Sequence, residues 1–173
     1  MKIFDFLLRK RNPIKYWKKR GAVFGNNCLV VSNASFGSEP YLVKIGDNVK
    51  ITDYVSFITH DGGIFVVRNL IDDNRIDLIR PIKIGNNVFL GNKVTILPGV
   101  IIGDNVIIGY GSIVTKNCKS NAVYAGIPAK YICSIEEYYQ KNKDFLVLTK
   151  KINRKNKKKT LIKMINEGKL FYK

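Results

Sequence analysis

One histidine, one tryptophan and three cysteines are all that 173 residues hold of these types. A single histidine excludes a metal centre built on three imidazoles, and no metal is expected. Cys28, Cys118 and Cys133 are odd in number, irregularly spaced and without a CxxC pair. They read as reduced thiols of a cytoplasmic protein, not as a disulfide framework. No run reaches the roughly 18 apolar residues of a membrane-spanning helix. The opening MKIFDFLLRKR is too short in apolar length for a secretory leader and lacks a small-residue cleavage site. Acidic residues are scarce as well: 13 against 30 Lys and Arg, a net +17. The excess lies at the ends. Residues 1–20 hold eight cations against Asp5, and 150–173 hold ten against Glu167, whereas 21–149 hold twelve against eleven acids. A near-neutral body with basic arms is a poor match to a groove-reading fold, so no nucleic-acid partner is expected. The arms suit either plain solvation or contact with phosphate, anionic lipid or an acidic substrate.

What is present is a repeat. From Ile84 the chain reads IGNNVF, LGNKVT, ILPGVI, IGDNVI, IGYGSI, VTKNCK. Aliphatic residues occupy 84, 90, 96, 102, 108 and 114, each followed four residues on by Val88, Val94, Val100, Val106, Ser112 and Cys118. Upstream, Ile45, Ile51 and Phe57, and before them Phe24, Val30 and Phe36, fill the same slot. A period of six is neither a helix nor a single strand. It predicts a triangular coil with one short strand and one turn per side, slot residues inward, and Gly, Asn and Asp at the corners. The register breaks twice. Phe36 to Ile45 is three residues too long, and Ile45 to Ile84 exceeds one circuit by 21, roughly Asp61 to Pro81. A loop of that length in a repeat is functional or disordered. Its apolar residues are expected to pack, with a neighbouring subunit as first choice.

The repeat over residues 22–132, with the closing segment VYAGIPAK (Val123–Lys130), resembles the hexapeptide-repeat acyltransferases. GSEPYLVKIGDNV and FITHDGG are similar to the sugar and polysaccharide O-acetyltransferases of capsule and lipopolysaccharide loci. The resemblance implies an all-β fold, a left-handed parallel β-helix with a protruding loop and short N- and C-terminal helical segments. Its left hand comes from the resemblance and not from the period. The expected organisation is a basic segment 1–21, the β-helix 22–132 with loop 61–81 extruded, and a basic tail 133–173. The resemblance also implies acetyl-CoA as co-substrate, direct transfer in a ternary complex, and a homotrimer with sites between subunits.

His60, in FITHDGG, stands where the coil stops and the loop departs. The resemblance places the catalytic base at such a position. The chemistry asks for one, because a sugar hydroxyl is a weak nucleophile and imidazole titrates near neutral pH. Three groups compete to hold its second nitrogen: Asp61, adjacent in sequence; Glu39, one coil below; and a backbone carbonyl. Glu39 could equally bind the sugar, as could Asn33, or cap a turn. Asn92, after Gly91, matches the family's oxyanion donor. Tyr110 matches a backbone contact to the pantetheine arm, Thr115 and Lys116 match nucleotide contacts, and Ala125, Gly126 and Lys130 match the segment over the diphosphate. Where relatives carry a second basic residue, this chain has Cys133, which departs from the pattern. Asn86, Asn87, Asp104 and Asn105 read as corner residues, and Cys118 as packing at an inward position.

The N-terminal segment has two readings, a cap on the first coil or an amphipathic contact with an anionic membrane. The run KKINRKNKKKT is low in hydrophobicity and expected to be mobile. Two other functions remain beside the O-acetyltransferase: N-acetylation of a nucleotide-linked amino sugar, and a non-enzymatic scaffold or nucleic-acid binder. A zinc-dependent carbonic anhydrase on the same helix is excluded by the lone histidine.

Overall fold

Only two or three extended residues fit between turns spaced six apart, so the strands are short. In the computed structural model, which describes residues 3–170, each circuit lays one segment on each of three sheets. Two helices, α1 (Ile3–Arg11) and α2 (Pro13–Lys19), precede β1 (Val23–Phe24) and β2 (Leu29–Val30). The third side of that circuit is Ser35, bridged to Ser56. The second circuit is β3 (Val43–Ile45), β4 (Lys50–Ile51) and β5 (Ser56–Phe57), and is followed by an excursion holding α3 (Ile64–Ile71). The third is β6 (Ile82–Ile84), β7 (Val88–Leu90) and β8 (Thr95–Ile96), and the fourth is β9 (Ile101–Ile102), β10 (Val106–Ile108) and β11 (Ile113–Val114). A hairpin of β12 (Ala122–Gly126) and β13 (Ala129–Ser134) closes the coil, and α4 (Ile135–Asn142) and α5 (Arg154–Asn166) follow. The sheets run β1-β3-β6-β9, β2-β4-β7-β10-β12-β13 and β5-β8-β11. The one antiparallel pair among these strands is β12 with β13.

Slot residues stack on slot residues: Ile45 on Ile84, Ile84 on Ile102, Ile51 on Leu90 and Phe57 on Ile96. From Ile45 to Val114 none of them is more than 3% exposed. Val49, Val55, Val88, Val94, Val100 and Val106 fill the corners inside and are as deeply buried. Each such side chain stabilises the coil by about 1.5–3 kcal/mol. The last circuit corrects one expectation. Ile102 bridges to Cys118 and Ile108 pairs with Tyr124, each 16 residues on instead of 18. Two residues are lost there, so Cys118, four residues after Val114, packs inward as expected but in a slot and not at a corner. Burial pushes its thiol up to about 11.

The open edge of the first circuit is covered by α1 and α2. Arg9 donates from Nε to Ser32 O (2.9 Å) and from Nη2 to Ala34 O (3.0 Å), meeting carbonyls that no lower coil reaches. Trp17 lies 4.9 Å from the Phe36 ring, which lies 4.5 Å from Phe57. The excursion is pinched at its base, where His60 bridges Ile79 and Arg80 N donates to Thr59 O. Its apolar residues do not pack on this chain: Phe65, Val66, Leu70 and Ile71 are exposed.

Residues from 136 onward form a separate unit. The basic run expected to be mobile is helical from Arg154. Asn153 accepts from Asn156 N as N-cap, and Lys and Arg are good helix formers.

Candidate active site

Both register breaks fall on one corner, between the β5 sheet and the β3 sheet. Residues 37–42 occupy it in the first circuit, 58–81 in the second, Leu97–Val100 in the third and 115–117 in the fourth. The shorter insert opens at Gly37, whose φ of +65° suits glycine, and turns through a single 3₁₀ turn, Pro40–Leu42. That path returns Ser38 and Glu39 over the second circuit, against His60.

Glu39 Oε2 lies 3.1 Å from His60 Nδ1, and Ser38 Oγ lies 3.3 Å from the same nitrogen. The buried Thr59 hydroxyl donates to Glu39 Oε2 over 2.6 Å. This donor, ahead of His60 and Ser38, holds the Glu39 carboxyl below the usual glutamate range, against the opposing effect of burial. An ionised carboxylate only accepts, so the ring nitrogen facing it must carry the hydrogen. In the neutral ring this contact sets the tautomer, with the lone pair on Nε2. The imidazole is 48% exposed, so an acceptor can reach it. Of the groups competing to hold the ring, the geometry brings Glu39 to it. Asp61 Oδ1 instead accepts from Gly63 N at 2.8 Å, and Asp61 N donates to Leu78 O. Ser38 and Thr59 escaped sequence reasoning, since isolated hydroxyls carry no pattern.

A second feature lies at the neighbouring corner, between the β4 and β5 sheets. Elsewhere the coil satisfies corner N–H groups by a ladder of side chains. Asn26 N donates to Asp47 Oδ1, Asp47 N to Asn86 Oδ1, Asn86 N to Asp104 Oδ1 and Asp104 N to Ser120 Oγ. Asn87 and Asn105, both with left-handed φ, continue it as a side-chain ladder. These asparagines and aspartates are corner residues. At the neighbouring corner Asp53 N donates to Asn92 Oδ1. The next rung would be a side-chain acceptor at 110, and tyrosine there offers none at that position. Among the described residues the Asn92 N–H donates to nothing. Tyr110 N comes within 2.9 Å of where a Cβ on Gly91 would stand, so Gly91 permits the backbones to close. Tyr110 itself is 70% exposed.

The remaining candidates divide between these corners. Ala125 and Gly126 continue the column of Asn92 and Tyr110, and Gly126 N donates to Ser112 Oγ. Thr115 and Lys116 are exposed on the His60 corner, and Lys130 is exposed in the hairpin, paired with Ala125. Asn33 stands on the Asn92 corner and shares a small cleft with Phe6, Arg9, Lys10 and Ser32. It is not brought to His60. Among the described residues no group of three His, Cys, Asp or Glu could hold a metal ion.

Residues 81–116 match the model of the bacterial transferase hexapeptide, six repeats. The chain is 44% identical over 169 residues to Protein CapG of Staphylococcus aureus, covering 96% of this chain and 97% of that one. It is 43% identical over 108 residues to the galactoside O-acetyltransferase of Escherichia coli (strain K12), covering 60% of this chain and 52% of that one. A galactoside acetyltransferase solved in complex with coenzyme A superposes with a TM-score of 0.63 at 30% identity, over 87% of this chain and 85% of that one. The stacked hexapeptides, the paired slots and these likenesses agree: the chain belongs to the bacterial hexapeptide-repeat transferase family.

Proposed function

We propose that the chain is an acetyl-CoA-dependent O-acetyltransferase acting on a hydroxyl of a sugar or polysaccharide precursor. The observation that carries this reading is the Glu39–His60 pair at an exposed corner. Nε2 takes the acceptor's proton as its oxygen attacks, and Glu39 stabilises the imidazolium that results. Acetyl-CoA would supply the activated acetyl group: collapse of the tetrahedral adduct breaks the thioester C–S bond, and the imidazolium returns its proton to the departing thiolate. The free Asn92 N–H is a preorganised donor for the oxyanion. Transfer is direct, within a ternary complex. Tyr110, Ala125 and Gly126 line the co-substrate's path, and the cations Lys116 and Lys130, with Thr115, answer its phosphates. The sugar class is supported by the likeness to a galactoside O-acetyltransferase.

His60 and Asn92 stand on different corners of one coil, so a complete site needs two copies. The resemblance to the family implies a homotrimer, a closed ring in which every His60 corner meets a neighbour's Asn92 corner. The coil, residues 22–132, is left-handed as in the family and forms the catalytic domain, between the segments 1–21 and 133–173.

The test is purified full-length protein with acetyl-CoA and a panel of hydroxyl and amino sugars, read by thiol release and product mass. An O-acetylated product is expected. His60→Ala should lower kcat by roughly 10²–10⁴-fold with an unchanged fold. Acetylation of amines alone, or a fully active His60→Ala, overturns the proposal.

A further inference from the structure

The helix α5 in the tail unit carries charge in the order its own dipole disfavours. Arg154, Lys155, Lys157 and Lys158 crowd the N-terminal half, with no acidic residue in the first turn. The N-terminus of a helix is its positive end and attracts anions. Like charges also stack along the helix: Arg154 with Lys157 and Lys158, Lys155 with Lys158 and Lys159, and Lys159 with Lys163, at spacings of three or four that repel. The acid that answers them is Glu167, past the far end, which pairs with Lys163 and Lys169. Residues 154–160 are all exposed.

At 100° per residue, Leu161, Ile162 and Ile165 continue the face that Arg154, Lys157 and Lys158 begin. Together these residues border one shallow open groove. Ile162 and Ile165 are 47% and 46% exposed. On the flank of this face Met164 lines a cavity with Phe145 and Leu146 of the same unit, so that edge of the helix is used internally while Ile162 and Ile165 stay exposed.

We propose that this face of α5 docks on an anionic lipid surface. Charge complementarity selects the partner. A cationic turn followed by exposed aliphatic side chains matches headgroup phosphates above acyl chains. A nucleic acid would use the cations but leave Ile162 and Ile165 without a role, and α5 has no aromatic residue on which a base could stack.

The experiment is sedimentation of the full-length protein with vesicles of phosphatidylcholine alone or mixed with phosphatidylserine, in low and high salt. Binding to the mixed vesicles only, weakened at least tenfold by salt, is expected. Lys155→Gln/Lys157→Gln/Lys158→Gln should reduce that binding at least tenfold, and so should Ile162→Ser/Ile165→Ser. Acetyl transfer to a soluble acceptor stays unchanged in both, which separates this inference from the catalytic one. Equal binding to neutral vesicles, or no binding to either, overturns it. So does binding to RNA that the isoleucine variant retains in full while vesicles are ignored.

Discussion

Thr59 donates its hydroxyl hydrogen to Oε2 of Glu39 over 2.6 Å, and that oxygen is the one 3.1 Å from the His60 ring. A residue buried in the coil thus fixes a carboxylate, which fixes a half-exposed imidazole.

The pH dependence of stability reports this chain of contacts. The Glu39 carboxyl titrates below the usual glutamate range when folded. Its contribution is therefore present above the unfolded value of about 4.3 and is lost as pH falls through the folded value. Denaturation should show the wild type more stable than Glu39→Gln above about pH 5. The difference should shrink in more acidic buffer. In Thr59→Val, which removes the largest cause of the shift, the acid loss should be smaller and complete at higher pH. An unchanged difference across the acid range would count against the assigned contacts.

Glu39→Gln should also lower kcat by roughly 10²-fold or more, since an amide facing Nδ1 no longer fixes the tautomer. KM for acetyl-CoA should hardly move. Steady-state kinetics with both substrates varied will show it, and a change confined to KM would contradict the positioning role.

Tyr110→Asn should restore the missing rung of the corner ladder. The new side chain can accept from the Asn92 N–H, adding about 0.5–1.5 kcal/mol of stability while blocking the donor proposed for the oxyanion. Stability should rise or hold while kcat falls. Joint measurement of the melting temperature and kcat tests the pair, and full activity in this variant would remove Asn92 from the mechanism.

Gly91→Ala acts at the same place by force. Its Cβ would stand 2.9 Å from Tyr110 N and 3.0 Å from Ile108 O, so backbone and not a flexible side chain would have to shift. A loss of roughly 1–3 kcal/mol is expected from overpacking, measured by urea denaturation, and activity should fall with it.

The thiols offer a check on the inward place of Cys118. Cys118 is buried and its thiol is pushed up to about 11, so little thiolate exists at neutral pH. Cys28 and Cys133 are partly exposed. A chromogenic disulfide reagent should titrate two thiols in the native protein and the third only on unfolding.

The period of six was enough to locate every slot from Ile84 to Val114, because stacked coils allow like residues only one register. The same rule hid the shortening before Cys118, since a small thiol fits a corner as well as a slot. Both breaks in the period were visible, at Phe36 and near Asp61, and they flank the corner where Glu39 meets His60. What spacing could not convey was direction. Asp61 is nearer than Glu39 in sequence, yet its carboxylate turns to Gly63 N. The free N–H of Asn92 was equally illegible, because it arises from what residue 110 lacks in a neighbouring coil. The helix in the excursion, Ile64–Ile71, was obscured by its short length, and in the tail, otherwise read as helical, the dense charge of KKINRKNKKKT hid the start of the last helix.

The two inserts that build the His60 corner leave no slot without its partner: Ile45 still meets Ile84 across the whole excursion. A coil stacked in one dimension can lengthen at its corners without disturbing the ladder beneath. Folding and the proposed chemistry are thus written on separate stretches of chain. The corner acts as a socket, in which the residues after His60 can change in length and kind while the aliphatic column and the Glu39–His60 contact stay as they are.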